Sequence, residues 1–299
     1  GIIESGDPVG GLVNARFVRG FFDVQPFLDA NKAYGFVLGA TLPGVPKLDV
    51  PFNFDFVRGS LQLTGSVTDP VSFSFDPLPN VTPRSGDYLP DVPGLQDRDD
   101  LVEHWFEAGA RVVLIPRRGA NFNVRGAGSV VFENVVSYGS CDGFINAEVD
   151  GSVEVRNCRV AVAPGRWHST NADGVYISGA QDGSSRPSGV RIEGCTFSGL
   201  CDDAIHIIAT DGFDVVNNVF SGIRGSGVSI DNEIVGMRSR STGGRVTGNR
   251  ASSIGGSVFR VRPYVYDDVI IDDNFATGQA RSRYFAKFGD EVTYVTGYT

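Results

Sequence analysis

The chain has 299 residues, and 26 Lys+Arg against 35 Asp+Glu give it a formal charge of −9. That balance argues against a nucleic-acid partner, because phosphate contacts need clustered positive charge and no basic run occurs. With 41% hydrophobic and 20% charged residues, 39 glycines and 15 prolines, the composition is that of a turn-rich globular protein with a sizeable core, which excludes disordered and collagen-like chains.

Only Lys32, Lys47 and Lys287 are lysines, so general-base chemistry has to come from other side chains. No apolar stretch approaches the ~20 residues of a membrane helix and no basic, apolar leader stands at Gly1, so no membrane span is expected. The one methionine is Met237, and a chain that starts at Gly1 is expected to be a processed or truncated form. Cys141, Cys158, Cys195 and Cys201 lack CxxC spacing, which argues against a structural zinc site. No metal and no cofactor is expected.

The first third reads as β-rich. Phe52, Phe54 and Phe56 alternate, Leu61 and Leu63 follow Gly59, and Phe73 and Phe75 follow Asp69-Pro70, the pattern of an antiparallel meander or small barrel-like insertion within an N-terminal segment 1–98. The sequon Asn80-Val81-Thr82 is followed by Pro83 and carries little weight. A Pro- and Asp-rich connector spans 91–100, His104 and Trp105 lie on an apolar, helical-looking stretch, and Val112-Val113-Leu114-Ile115 reads as a buried strand entering the second segment, 99–299.

From about Val124 to Phe275, short apolar-alternating strands recur, each ending in a small turn residue. Aligning them gives a column of Val135, Cys158, Cys195, Asn218, Asn249 and Asn274, with spacings of 23, 37, 23, 31 and 25 residues. A coil of about 23 residues with inserted loops, period-two strands and no long helical pattern predicts an all-β right-handed parallel β-helix. In it the asparagines form a hydrogen-bonded ladder, Cys158 and Cys195 pack as small core residues, and the tail from Ala276 caps the last coil.

A second column holds Asp142, Asp173 and Asp203, 31 and 30 residues apart, followed by Ser226 and Ser257. Neighbouring coils lie ~4.8 Å apart, so Asp173, Asp202 and Asp203 crowd their carboxyls, which raises at least one pKa and sets a proton donor beside an ionised partner. Glycoside hydrolysis needs that arrangement. Asp142 alone reads as a turn cap. Tyr176, His206 and Ser229 stand one step further along and are expected to point outward as an exposed polar rail, with Arg260 and Arg262 in a similar region. Trp167 lies on a polar insertion just before Asp173, where a sugar face could stack. No G-x-G-x-x-G, Walker, H-E-x-x-H or G-x-S-x-G motif supports nucleotide, zinc or serine chemistry.

Asn171-Ala172-Asp173-Gly174-Val175 followed by Cys201-Asp202-Asp203-Ala204-Ile205-His206 resembles the N-x-D-G and G-D-D signatures of right-handed β-helix glycoside hydrolases. The wording, with Ile192-Glu193-Gly194-Cys195-Thr196-Phe197-Ser198-Gly199 between them, is most similar to the α-1,3-galactosidases of glycoside hydrolase family 110. The resemblance covers about 110–275 and is specific from about 150 to 210. Cys201 and His206 depart from it, standing where that family commonly has glycine and asparagine.

The resemblance implies an inverting exo-α-galactosidase acting on glycans from an extracellular or periplasmic location. Its catalytic residues would be Asp173, Asp202 and Asp203, with Asn171, Trp167, Tyr176, His206, Arg260 and Arg262 contacting sugar. A polygalacturonase-like hydrolase, a uronate lyase and a non-catalytic glycan-binding β-helix stay open as alternatives. The first lacks a downstream G-H-G and R-I-K here. Flat solenoid flanks leave a homo-oligomer open, with no number fixed.

Overall fold

In the computed structural model the described residues are the N-terminal strands named below with 108–109, and then 119–126, 128–140, 142–164, 166, 168–179, 186–231, 241–261, 266–277 and 286–288. The chain divides into two compact units, Gly1–Arg118 and Gly119–Thr299.

The first unit holds one eight-stranded sheet in the order Gln62–Thr64, Ser72–Phe75, Leu12–Arg16, Ile2–Asp7, Arg111–Pro116, Ala33–Leu38, Phe52–Phe56, Pro77–Pro79. Its pairings are antiparallel. Two expectations change here. Phe52–Phe56 pairs with Ala33–Leu38 and Pro77–Pro79 and does not run on into the 62–75 hairpin, so the strands interleave and do not form a simple meander. Arg111–Pro116 does not enter the solenoid; it lies between Ile2–Asp7 and Ala33–Leu38 in this sheet. A continuous apolar run signals a strand buried on both faces without saying in which sheet or direction. The boundary accordingly falls after Arg118 and not near residue 98. The sequon, the 91–100 connector and His104 lie outside the described residues.

The second unit is a right-handed parallel β-helix of three sheets. The first sheet stacks Ser129–Glu133, Ser152–Arg156, Ser188–Glu193, Asp211–Val216, Ser241–Thr247 and Tyr266–Asp272. The second stacks Val136–Ser137, Arg159–Val160, Thr196–Ser198, Val219–Ile223, Arg250–Ile254 and Phe275–Thr277. The third runs from Phe122–Arg125 through Ile145–Glu148, Val175–Ser178, Ile205–Ile208, Val228–Asp231 and Phe259–Val261 to Ala286–Phe288. That last strand lies in the tail and extends the sheet.

Alternation sets one row of each strand inward. Val153 and Val155, Ile192 and Val215, Phe197 and Phe220 are buried in a continuous core, and the Phe197 and Phe220 rings stack at 5.9 Å. Between the first and second sheets each coil turns through one left-handed residue, filled in succession by Asn134, Asn157, Gly194, Asn217, Gly248 and Asp273. Only residues that tolerate positive φ stand there.

The next residue of each coil forms the expected ladder. The N–H groups of Cys195, Asn218 and Asn249 donate to the side-chain oxygens of Asn218, Asn249 and Asn274, each at 2.9 Å. The amide nitrogens of Asn218, Asn249 and Asn274 donate back to the carbonyls of Ile192, Val215 and Val246. Cys158 and Cys195 continue the stack as buried free thiols, with the Cys158 N–H facing the Cys195 Sγ at 3.4 Å. Every rung answers backbone groups that would each cost ~1–3 kcal/mol if buried unpaired.

Candidate active site

The third sheet and the turns before its strands carry most of the expected site residues, and its register fixes which side chains meet. Asn146, Tyr176, His206, Ser229 and Arg260 stack as one outward column, and position 287 is in register with Arg260 in the next strand. Tyr176, His206 and Ser229 line up as expected but are not an exposed rail. His206 is 7% exposed and Ser229 0%, while Tyr176 is half-buried with its ring edge-on to His206 at 5.3 Å. All four residues of both Ile205–Ile208 and Val228–Asp231 are buried, so here the sheet is covered on both faces. On the first and second sheets outward residues such as Val131 and Val136 stay exposed.

Two residues before each of these strands the chain turns, and there the acids sit. Pairing of Val175 with Ile205 and of Ile205 with Val228 sets Asp173, Asp203 and Ser226 in line, with Gly143 in the preceding coil. Asp142 is therefore one residue out of the column, level with Ala172 and Asp202, as the bridges Ser140 to Thr170 and Thr170 to Leu200 also require. Its carbonyl receives the N–H groups of Asn171 and Ala172. Glycine at 174 is dictated by the close approach of the coils: a Cβ there would stand 2.5 Å from the Ala204 carbonyl oxygen. Gly225 plays the same part beneath the doublet, where a Cβ would reach 2.5 Å from Asp203 Oδ1.

Each acid first serves the next coil. Asp173 Oδ1 accepts the Asp203 N–H at 3.0 Å, and Asp203 Oδ1 accepts the Ser226 N–H. The second oxygens converge on two cations. Arg260 Nη2 donates to Asp203 Oδ2 at 2.9 Å and, with Nε, to Ser229 Oγ. His206 Nδ1 lies 3.6 Å from Asp173 Oδ2 and 3.9 Å from Asp203 Oδ2, and its Nε2 lies 3.6 Å from Asp231 Oδ2. Asp231 is 1% exposed. Sequence reasoning missed it, although a signal existed: with Val228 and Ile230 inward, strand alternation sends Ser229 and Asp231 to the face that carries His206.

Burial, and next the neighbouring Asp202 carboxylate, push the Asp173 carboxyl up to about 6. Burial also opposes the charge of Asp203, but Arg260, His206 and the Ser226 contacts outweigh it and hold that carboxyl below its ordinary value. Burial would discharge His206, yet Asp173 and Asp231 on either side of the ring, with Asp203, raise it to about 10. The cluster thus pairs an acid that keeps its proton up to mildly acidic pH, where an ordinary carboxyl has lost it, with ionised neighbours.

Donor atoms of Asp173, Asp203 and His206 all lie within 4.8 Å of one another, close enough in principle for a metal ion. A cation would have to displace Arg260 from Asp203 Oδ2 and the proton from His206, so the donor set is already committed to positive charge from within the chain.

Of the other expected site residues, Asp202 sits half-buried beside Asp173. Asn171 is buried and its Oδ1 is 2.7 Å from His168 Nε2, a contact that braces the turn before Asp173. Burial lowers the His168 pKa and keeps that ring neutral, so Nε2–H is the donor to Asn171. Trp167 and Arg262 lie outside the described residues.

Comparison of the chain with protein-family models and with curated proteins finds no match.

Proposed function

We propose that the covered face of the third sheet is the active site of an inverting glycoside hydrolase that releases terminal α-galactose, with α-1,3 linkages the class implied by the family 110 resemblance. The observation that carries this reading is the buried Asp173 carboxyl, raised to about 6 by burial and by the Asp202 carboxylate beside it. A carboxyl that holds its proton more tightly than usual next to a second carboxylate is what general acid and base roles require.

The spacing divides the roles further. Oxygens of Asp173 and Asp203 come within 4.8 Å of each other, shorter than the ~6.5–9.5 Å that leaves room for an attacking water in inverting enzymes. Asp203 is also held by Arg260 and the Ser226 N–H. We assign acid and base to Asp173 and Asp202, and to Asp203 the positioning of both the turn and Arg260. A uronate lyase needs a cation to neutralise the substrate carboxylate, for which Arg260 and Arg262 are the candidates, and it is less well served because Arg260 is occupied by Asp203. The extracellular or periplasmic location rests on the resemblance alone.

The test is turnover on an aryl α-galactoside and on an α-1,3-linked galactobiose, with the anomer of the first-formed galactose read by NMR. Asp173→Asn and Asp202→Asn are each expected to lose at least about 10²-fold in turnover, the lower range for removing a general acid or base, with unchanged melting, and the wild type to release β-galactose first. Undiminished turnover in both variants, or no hydrolysis of either substrate by the wild type, overturns the proposal.

A further inference from the structure

Among the described residues, the carboxylates of Asp173, Asp203 and Asp231 gather around two cationic side chains, His206 and Arg260. Arg260 is committed to Asp203 at 2.9 Å. His206 is held between Asp173 and Asp231 through opposite ring nitrogens, 3.6 Å from an oxygen of each, with its side chain 9% exposed and the Tyr176 ring edge-on against it. While Asp173 and Asp231 are both ionised, a neutral imidazole with its one N–H would turn a lone pair toward one of them, so the imidazolium is the form that suits both.

We propose that Asp231 and His206 form a positioning couple for Asp173. Asp231 holds the imidazolium from the far side of the ring and takes up enough of its charge that Asp173 keeps a proton where an ordinary carboxyl has lost it. The link to turnover rests on the hydrolase reading above, but the protonation of Asp173 does not. Neither partner of the couple needs to touch substrate.

The groups that face the ring set the signs. From the Asp173 turn and Val175–Ser178 come Asp173 and Tyr176. From the ring's own turn come Asp202 and Asp203. From Val228–Asp231 come Ser229 and Asp231, and from Phe259–Val261 comes Arg260. Asp231→Asn keeps volume and shape but removes a negative charge, which leaves the His206 charge directed at Asp173 and lowers the Asp173 midpoint. His206→Gln removes the positive charge and raises it. A unit charge several ångströms away at an effective dielectric constant of ~20 moves a carboxyl by about one pH unit or more.

The experiment titrates the Asp173 carboxyl by ¹³C NMR in the folded, substrate-free protein, labelled at aspartate and assigned with Asp173→Asn. The ¹⁵N signals of the wild-type His206 ring are read alongside. The expected result is a midpoint about one unit lower in Asp231→Asn, about one unit higher in His206→Gln, and a wild-type ring protonated on both nitrogens at pH 7. An Asp231→Asn midpoint that stays put or rises, or a wild-type ring neutral at pH 7, overturns the couple. Should a variant fail to fold, the wild-type ring measurement decides alone. Opposite shifts in a protein that hydrolyses no galactoside would uphold the couple and sink only the hydrolase reading.

Discussion

Two polar columns run up this β-helix at different corners, and they behave in opposite ways. The ladder of Cys158, Cys195, Asn218, Asn249 and Asn274 repeats one bonding pattern from coil to coil, with neutral groups and a partner for every amide. The acid corner holds a different residue at almost every level: Gly143, Asp173, Asp203 and Ser226 in one file, Tyr176, His206, Ser229 and Arg260 in the next. Repetition serves the fold, since each rung solves the same problem of a buried turn. Departure from repetition concentrates charge in a covered place, which costs stability unless the charges meet one another.

That contrast can be broken at its strongest point by Asp203→Asn. Removing the carboxylate leaves Arg260 buried without its countercharge, for which ~3–5 kcal/mol of destabilisation is expected, read by denaturant unfolding. Chemistry at this position is therefore judged from Asp173→Asn and Asp202→Asn. A loss under about 1 kcal/mol would mean that the Arg260 pair is effectively solvated.

On the neutral side, Asn249→Ala strands the Asn218 N–H and the Val215 carbonyl, and about 3 kcal/mol should be lost. Galactosidase turnover of the remaining folded protein should stay within about twofold, because that corner touches no acid. A specific loss of activity would erase the distinction between the columns.

The pH dependence of melting sharpens the comparison further. His206 is raised from 6.5 to about 10 in the fold, so its stabilisation is complete below 6.5 and is lost as pH rises toward 10. Asp203 is lowered, so its contribution is present above its ordinary value of 3.8 and is lost as pH falls through the folded value. Asp173 acts the other way, favouring the fold below 3.8 and ceasing to do so as pH rises through about 6. The wild type should lose melting temperature between pH 7 and 10, and His206→Gln should lose distinctly less across the same window. Parallel curves for the two proteins would show that the ring carries no charge in the fold.

The smallest effect is expected at Asp142→Asn. Asp142 is level with Asp202 in the coil yet contributes its carbonyl to the Asn171 turn, and turnover should fall less than about tenfold, below the range of a general acid or base. A larger fall would extend the acid corner by a coil.

Much of this was legible in the sequence, and the failures have physical causes. The ladder showed itself because Asn and Cys at one position of every coil are unlikely without a shared environment, whatever loops intervene. Asp173 and Asp203 were placed together by the turn that recurs before each strand, and Tyr176, His206 and Ser229 on one outward file by strand alternation, with Arg260 in a similar region. Burial of that face was not legible, since a residue that points away from the core still says nothing of what lies above it. Asp142 was set one residue out of register because a 31-residue step and a 30-residue step cannot be told apart without the hydrogen bonds. The contact between Arg260 and Asp203 spans two coils and 57 residues, which no local pattern encodes. In the first unit, antiparallel strands distant in sequence exchange neighbours, and an apolar run such as Val112–Ile115 carries no address.

The uneven coil lengths have a consequence for how such a protein can change. Strand-to-strand steps along the third sheet are 23 residues at their shortest, and the added sequence enters before Val175, between Ser178 and Ser188, and between Asp231 and Ser241. Each of those points adjoins a strand bearing Tyr176 or Asp231, and none interrupts the ladder corner. Sequence can therefore be gained or lost at these points of the chain without shifting the register of the stacked rungs.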